Sequence, residues 1–143
     1  MSGKIINERI NKMKKQKVET CRFRESMDEG NRLAFENLDF KGALKQFKIA
    51  KMYCDFLGDL QELVLAIVTL EFSDRWSQSV ISEIERKSQN SIDQSILAVI
   101  FHRTDMKKAL FHLHNASKNA KTKNEFGRLK ETAEMLGVRI DKK

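Results

Sequence analysis

The chain repeats the segment DFKGALKQFKIA, residues 39–50, as DMKKALFHLHNA, residues 105–116. Five of the twelve aligned positions are identical, and two further pairs, Phe40 with Met106 and Phe47 with Leu113, keep a large apolar side chain. The copies lie 66 residues apart, which is twice 33. A period of about 33 residues is typical of stacked helical hairpins, in which each unit buries its apolar face only against its neighbours. The repeat therefore predicts a helical-repeat protein.

The composition agrees with helices joined by short turns. The 143 residues suffice for one domain with its own core, and they include no proline, which would break helix interiors. No apolar run is long enough to cross a bilayer, and no apolar stretch follows the basic N-terminus as in a secretory signal. The two cysteines, Cys21 and Cys54, lack metal-type spacing. We expect free thiols in a reducing intracellular compartment, either cytoplasmic or nuclear.

The net charge of +7 is concentrated at the two ends of the chain. Residues 1–24 carry eight basic and two acidic residues (+6), and residues 117–143 carry eight basic and four acidic residues (+4). The middle, residues 25–116, has eleven basic and fourteen acidic residues (−3). This distribution argues against one basic groove along the whole molecule.

Hydrophobic spacing predicts seven helices after an N-terminal segment. We predict them over residues 19–37, about 40–56, 60–72, about 76–90, from 91 or 93 to about 101, 106 to about 120, and 124–136. We expect N-caps at Asp39, Asp59, Asp74, Asp105 and either Ser91 or Asp93, and C-cap glycines at Gly58 and Gly137. We predict that residues 1–24 form a basic N-terminal arm or helix, residues 25–137 the repeat domain, and residues 138–143 a basic tail.

The apolar stripes resemble the second helix of the tetratricopeptide repeat (TPR) family. That helix has a small residue, three others, an aromatic residue, two others and then alanine. The pattern is met by Ala43, Phe47 and Ala50, and again, with leucine for the aromatic, by Ala109, Leu113 and Ala116. Gly30-Asn31 is similar to part of the family's first helix, whereas the middle hairpin, about residues 58–90, has the right length and a poor motif.

The resemblance covers roughly residues 25–120 and implies an all-α fold. It implies a short right-handed superhelix of about three antiparallel helical hairpins followed by a C-terminal capping helix. The alternative is an irregular helical bundle, because stripes of alanine and large residues are common in packed helices. TPR proteins are mostly adaptors or scaffold subunits, so the resemblance implies a non-enzymatic module that binds a peptide or helix of a partner protein. Self-association is a further option.

If the first helix of each hairpin lines a concave groove, as in the TPR family, particular residues would face the partner. The groove candidates are Asp28, Arg32 and Phe35, then Gln61, Leu65 and Val68, and then Gln94, Ala98, Phe101 and His102. For each of them a packing or surface role is the competing interpretation.

No pattern in the chain indicates catalysis, a metal or a cofactor. His112 and His114 are two residues apart on a helix and point in different directions, so we expect them to be surface or partly buried histidines. Glu83 and Glu85 likewise lie on different helix faces. No Ser-His-Asp set and no glycine-rich phosphate loop is present. We therefore expect no enzymatic activity.

A nucleic-acid-associated factor is the alternative function, with the basic ends in contact with phosphates. The N-terminal candidates are Lys12, Lys14, Lys15 and Lys17. The same segment could instead dock into a partner through Ile6, Ile10 and Met13, or serve only as a solubilising tail.

Overall fold

The computed structural model describes residues 21–139, and every regular element in that range is an α-helix. Helix α1 covers residues 21–35. It is followed by α2 (Phe40–Met52), α3 (Leu57–Thr69), α4 (Arg75–Lys87), α5 (Ser91–Phe101), α6 (Met106–Asn119) and α7 (Lys123–Leu136). The predicted all-α class is confirmed for this part of the chain. Within it, no helix combines the length and apolar character that a bilayer crossing requires.

Aspartate side chains begin three of the helices, as the sequence predicts. Asp39 Oδ1 accepts a hydrogen bond from Gly42 N at 2.9 Å at the start of α2. Asp74 and Asp105 make the equivalent bonds at the starts of α4 and α6. Each bond satisfies one of the backbone N–H groups that the first helical turn leaves without an intrahelical partner.

The start of α5 differs from the prediction by one residue. Asn90, and neither Ser91 nor Asp93, is the N-cap, because its side-chain oxygen accepts from Asp93 N at 2.8 Å. Ser91 is then free to serve as a buried contact, and its hydroxyl donates to Ala116 O at 2.8 Å. This bond ties α5 to α6.

The predicted C-cap glycine at Gly58 is wrong. Helix α2 ends at Met52, and its C-cap Tyr53 has φ −111° and ψ 15°, a conformation that needs no glycine. Gly58 lies in the first turn of α3, which begins at Leu57, so Asp59 is a residue of that turn and not its cap.

Helix α7 ends as predicted, at a glycine in the left-handed conformation. Gly137 has φ 73°, and its N–H donates to Glu134 O at 3.1 Å. The next residue, Val138, donates to Ala133 O at 2.9 Å. This pair of bonds satisfies carbonyls of the last turn and defines the end of the helix.

The chain divides into two compact units, whose described parts are residues 21–63 and residues 64–139. The buried apolar side chains of the first unit are Phe23, Met27, Ala34, Ala43, Phe47, Ala50, Leu60 and Leu63. In the second unit α5 packs against α6 and α7, and α6 packs against α7. Its core contains Ile67, Val80, Ile84, Leu97, Phe101, Ala109, Leu113, Ala116, Leu129 and Leu136, among others.

The sequence repeat is also a repeat of local structure. Helices α2 and α6 begin one residue after their aspartate caps, at Phe40 and Met106, which are 46% and 39% exposed. The equivalent pairs Ala43 and Ala109, Phe47 and Leu113, and Ala50 and Ala116 are all buried. Identical positions therefore cap the helix and form its buried stripe in both copies.

Candidate interaction surface

The first three groove candidates share the exposed face of α1. Asp28, Arg32 and Phe35 follow each other at intervals of four and three residues, and all three are exposed. Residues at this spacing lie on one side of a helix. The opposite side of α1 is buried and carries Phe23 and Met27.

Most charges on this face of α1 are already paired. Arg24 makes two hydrogen bonds with the Glu62 carboxylate, at 2.8 and 2.6 Å, and lies 3.6 Å from Asp28. Arg32 binds Glu29 in the same bidentate way, at 2.9 and 2.6 Å. The hydrogen bond to Glu62 raises the pKa of Arg24, and the hydrogen bond from Arg32 lowers the pKa of Glu29. Beside these paired charges, Phe35 is an exposed apolar side chain at the C-terminal end of this face of α1.

Phe35 continues into an exposed apolar turn between α1 and α2. Phe35, Leu38 and Phe40, here called the apolar turn, are 63%, 70% and 46% exposed. The backbone of this turn is closed by a hydrogen bond from Asp39 N to Leu33 O at 2.8 Å. Three exposed apolar side chains are therefore concentrated within six positions of one closed turn.

Leu38 has a backbone conformation that its side chain does not favour. Its φ is 54°, in the left-handed region that glycine and asparagine adopt readily. A bulky residue there costs about 1–2 kcal/mol of stability. Burial does not offset this cost, because Leu38 is 70% exposed. Asparagine or glycine would adopt this conformation at lower cost, so the leucine contributes exposed apolar surface at the expense of stability.

The groove candidates of α3 have different environments. Gln61 is half-buried, Leu65 is 46% exposed, and Val68 is buried. Val68 therefore offers almost no surface to a partner in this structure and serves the core. Leu65 remains accessible as predicted, within the second unit.

The groove candidates of α5 belong mainly to the interior. Gln94 is buried: its side-chain nitrogen donates to Ser88 O at 3.3 Å, and its oxygen accepts from Asn119 Nδ2 at 2.8 Å. Ala98 and Phe101 are buried as well, and only His102 is half-buried. For Gln94, Ala98 and Phe101 the structure thus favours a packing role over a groove contact.

The second unit contains a polar cluster that the sequence did not predict. His112 is only 4% exposed, and its Nε2–H donates to Glu85 Oε2 at 2.9 Å. Lys108 Nζ donates to the other carboxylate oxygen at 3.3 Å and lies 5.0 Å from the centre of the Phe101 ring. Phe101 stacks on the His112 imidazole with 5.7 Å between ring centres. The spacing of Lys108 and His112, four residues apart on α6, is the one sequence signal that could have indicated a shared acceptor.

The electrostatics of this cluster favour an ionised Glu85. The hydrogen bond from His112 is the main cause of a lowered Glu85 pKa, and the positive charge of Lys108 adds to it, against the opposing effect of burial. The cluster connects α4 to α6 through a charged hydrogen bond. Within residues 21–139 no group of three or more His, Cys, Asp or Glu side chains could hold a metal ion. Helix attachment is therefore the role that this geometry supports.

The nucleic-acid candidates Lys12, Lys14, Lys15 and Lys17 lie outside the described residues, as do most of the predicted N-terminal arm and residues 140–143.

Compared with known protein families, curated proteins and solved structures, the chain matches none of them.

Proposed function

We propose that this protein is a non-enzymatic interaction module, an adaptor or scaffold subunit that binds a helix or peptide of a partner protein. The apolar turn, together with the adjoining exposed face of α1, is the contact surface. We further propose that the hairpins α1/α2, α3/α4 and α5/α6 form a short TPR-like superhelix with α7 as its cap. The repeated cap and buried stripe of α2 and α6 support this arrangement.

One observation carries the proposal of a contact at the apolar turn. Three large apolar side chains are 46–70% exposed within six residues, and one of them, Leu38, has an unfavourable backbone conformation. Scattered exposed apolar residues are ordinary on protein surfaces, whereas a local cluster is typical of an interface. Phenylalanine and leucine side chains are suited to a hydrophobic groove or to the apolar face of an amphipathic helix.

The paired charges on the exposed face of α1 suit a protein partner. Arg24 and Arg32 already bind carboxylates of this chain, so a partner does not need to supply many counter-charges. A partner that binds through carboxylates would have to displace the carboxylates that already pair with these two arginines. We therefore expect the partner's contact residues to be mainly apolar, with polar groups at the rim.

The decisive variant is Leu38→Asn. Asparagine tolerates a positive φ, so the substitution removes the apolar side chain while leaving the fold as stable as before or more stable. Tagged full-length protein would be captured from its native extract, with and without nuclease, and its partners identified by mass spectrometry. We expect a nuclease-resistant partner whose affinity falls roughly tenfold or more in the variant.

Met52→Asn is the matched control for this experiment. Met52 is 77% exposed and lies in the same unit at the far end of α2. The Met52→Asn variant removes an apolar side chain of similar size and leaves the residues of the apolar turn unchanged. Equal partner recovery by Leu38→Asn, Met52→Asn and the unmodified protein would refute a contact at this surface. Size-exclusion chromatography of the same proteins tests whether the partner is a second copy of the chain.

A reducing intracellular location is part of the proposal. Neither Cys21 nor Cys54 forms a disulfide bond, which is compatible with a cytoplasmic or nuclear protein.

A further inference from the structure

The α6–α7 turn and the start of α7 are strongly basic. Residues 118–130 contain five lysine or arginine residues and one glutamate, a net charge of +4. This equals the whole net charge of residues 117–143, because residues 131–143 contain three basic and three acidic residues. The positive charge of the C-terminal region is therefore concentrated on a short described segment in the second unit.

Four lysines and one aromatic side chain define what we call the basic surface. It consists of Lys118, Lys121, Lys123, Phe126 and Lys130, all of them exposed. Lys123, Phe126 and Lys130 lie three and four residues apart on α7, so they share one side of that helix. Lys118 lies in the last turn of α6, and Lys121 lies in the connection between α6 and α7.

The lysines of the basic surface are available for a ligand. Within residues 21–139, Lys118, Lys123 and Lys130 form no ion pair with a carboxylate. The single acidic residue of the segment, Glu125, is engaged with the helix start. It accepts from Thr122 N at 3.0 Å and from Lys121 N at 3.3 Å as part of a capping box. The Glu125 carboxylate thus binds backbone N–H groups of the helix start, and the positive charge of Lys121 also helps to lower its pKa.

Phe126 adds a stacking group to this charge. Its side chain is 45% exposed. The ring is therefore accessible on the side of α7 that also carries Lys123 and Lys130. A planar base can approach such a ring while its phosphates reach the neighbouring ammonium groups.

We propose that the basic surface binds single-stranded nucleic acid. The lysines contact the phosphate backbone, and Phe126 stacks on a base. A single strand is favoured over a duplex because only unstacked bases can use the exposed ring. An acidic polypeptide would use the lysines alone and would leave the position of Phe126 without a role. The inference goes beyond the proposed partner contact, which lies in the other unit.

Binding would be tested on the full-length chain with fluorescein-labelled oligouridine of about 20 nucleotides, long enough for one surface of this kind. Fluorescence anisotropy would be measured over a series of salt concentrations. For Lys123→Gln/Lys130→Gln we expect the slope of log K against log salt to fall by roughly 1.4, since each phosphate contact to a single strand contributes about 0.7. At about 0.1 M salt the same relation predicts a Kd roughly 25-fold higher.

The matched control for charge is Lys41→Gln/Lys45→Gln. These two lysines are exposed on α2, and their replacement changes the net charge by the same amount. Circular dichroism would verify that each variant is folded. If the double variant were unfolded, Lys123→Gln and Lys130→Gln would be measured singly, with half the slope change expected for each.

The control for stacking is Phe111→Leu, which replaces an exposed ring on α6. For Phe126→Leu we expect about tenfold weaker binding with an unchanged salt slope, because stacking does not release counterions. Two outcomes would overturn the proposal. One is a Kd and salt slope for Lys123→Gln/Lys130→Gln equal to those of Lys41→Gln/Lys45→Gln. The other is that polyglutamate binds as tightly as oligouridine and that Phe126→Leu changes neither affinity. That result would assign the surface to an acidic protein.

Discussion

Gly30 is the position where a single methyl group should test the packing of α1 on α2. Gly30 is buried, and a Cβ built on it would stand 2.5 Å from Phe47 Cε1 and 2.9 Å from Phe47 Cδ1. Ordinary van der Waals contacts of a Cβ begin at 3.4 Å. Gly30→Ala would therefore overlap with the ring unless one helix moves.

The expected effect is the difference between two opposing terms. Replacing glycine by alanine inside a helix stabilises by about 1 kcal/mol through helix propensity. Overpacking a core costs about 1–3 kcal/mol, and the upper end applies here because Phe47 is fully buried and the overlap involves several ring atoms. We expect a net loss of about 2 kcal/mol, which corresponds to a melting temperature lowered by about 4–8 °C.

Thermal and urea unfolding followed by far-UV circular dichroism would measure this loss. Gly127→Ala is the matched control, since no atom would meet the new methyl group and propensity alone should stabilise it by about 1 kcal/mol. Gly30→Ala/Phe47→Leu should recover part of the loss, because leucine is smaller at the point of overlap. An increase in stability for Gly30→Ala like that of Gly127→Ala would refute the close approach of the two helices.

Two further predictions concern charge and backbone conformation. Glu85→Gln should destabilise by about 1–3 kcal/mol near neutral pH, because buried His112 loses its charged acceptor; Glu131→Gln, at an exposed carboxylate, should change little. The folded pKa of Glu85 lies below its ordinary value of 4.5, so the stabilisation by ionised Glu85 is fully present above that pH and is lost as pH falls through the folded pKa. The unfolding curves of Glu85→Gln and of the unmodified protein should therefore converge in acid. Glu71 has φ 57° at the end of α3, so Glu71→Gly should raise stability by about 1 kcal/mol, whereas Gly137→Ala, at φ 73°, should lower it by a similar amount; melting temperatures that move in the opposite directions would contradict the assigned backbone.

The starts of α2, α4 and α6 could be predicted because capping is a local interaction. Asp39, Asp74 and Asp105 each bind a backbone N–H three residues further on, so the residue type and the turn that follows are sufficient to locate them. The same holds for Gly137, where the backbone itself requires a left-handed conformation. Gly58 was misassigned because glycine is favoured at a C-cap only when the chain turns left-handed there, and Tyr53 ends α2 without doing so.

The candidate surface could be predicted only in part. Asp28, Arg32 and Phe35 are exposed, as their helical spacing suggests. Periodicity could not distinguish the exposed apolar residue Leu65 from the buried one Val68, because both belong to a helix that is apolar on nearly every side. For such a helix, only the neighbouring elements determine which side is covered.

The sequence by itself determined the all-helical class of residues 21–139, the capped starts of α2, α4 and α6, and the repeated buried stripe of α2 and α6. These features depend on residue type and on spacing within a few positions, where hydrogen bonding and helix geometry are local. The tertiary structure alone decided that His112 is buried on Glu85, 27 residues away along the chain, and that Leu38 is held exposed with a positive φ. Such features arise when separate helices compete for the same space, and that competition is resolved only by packing.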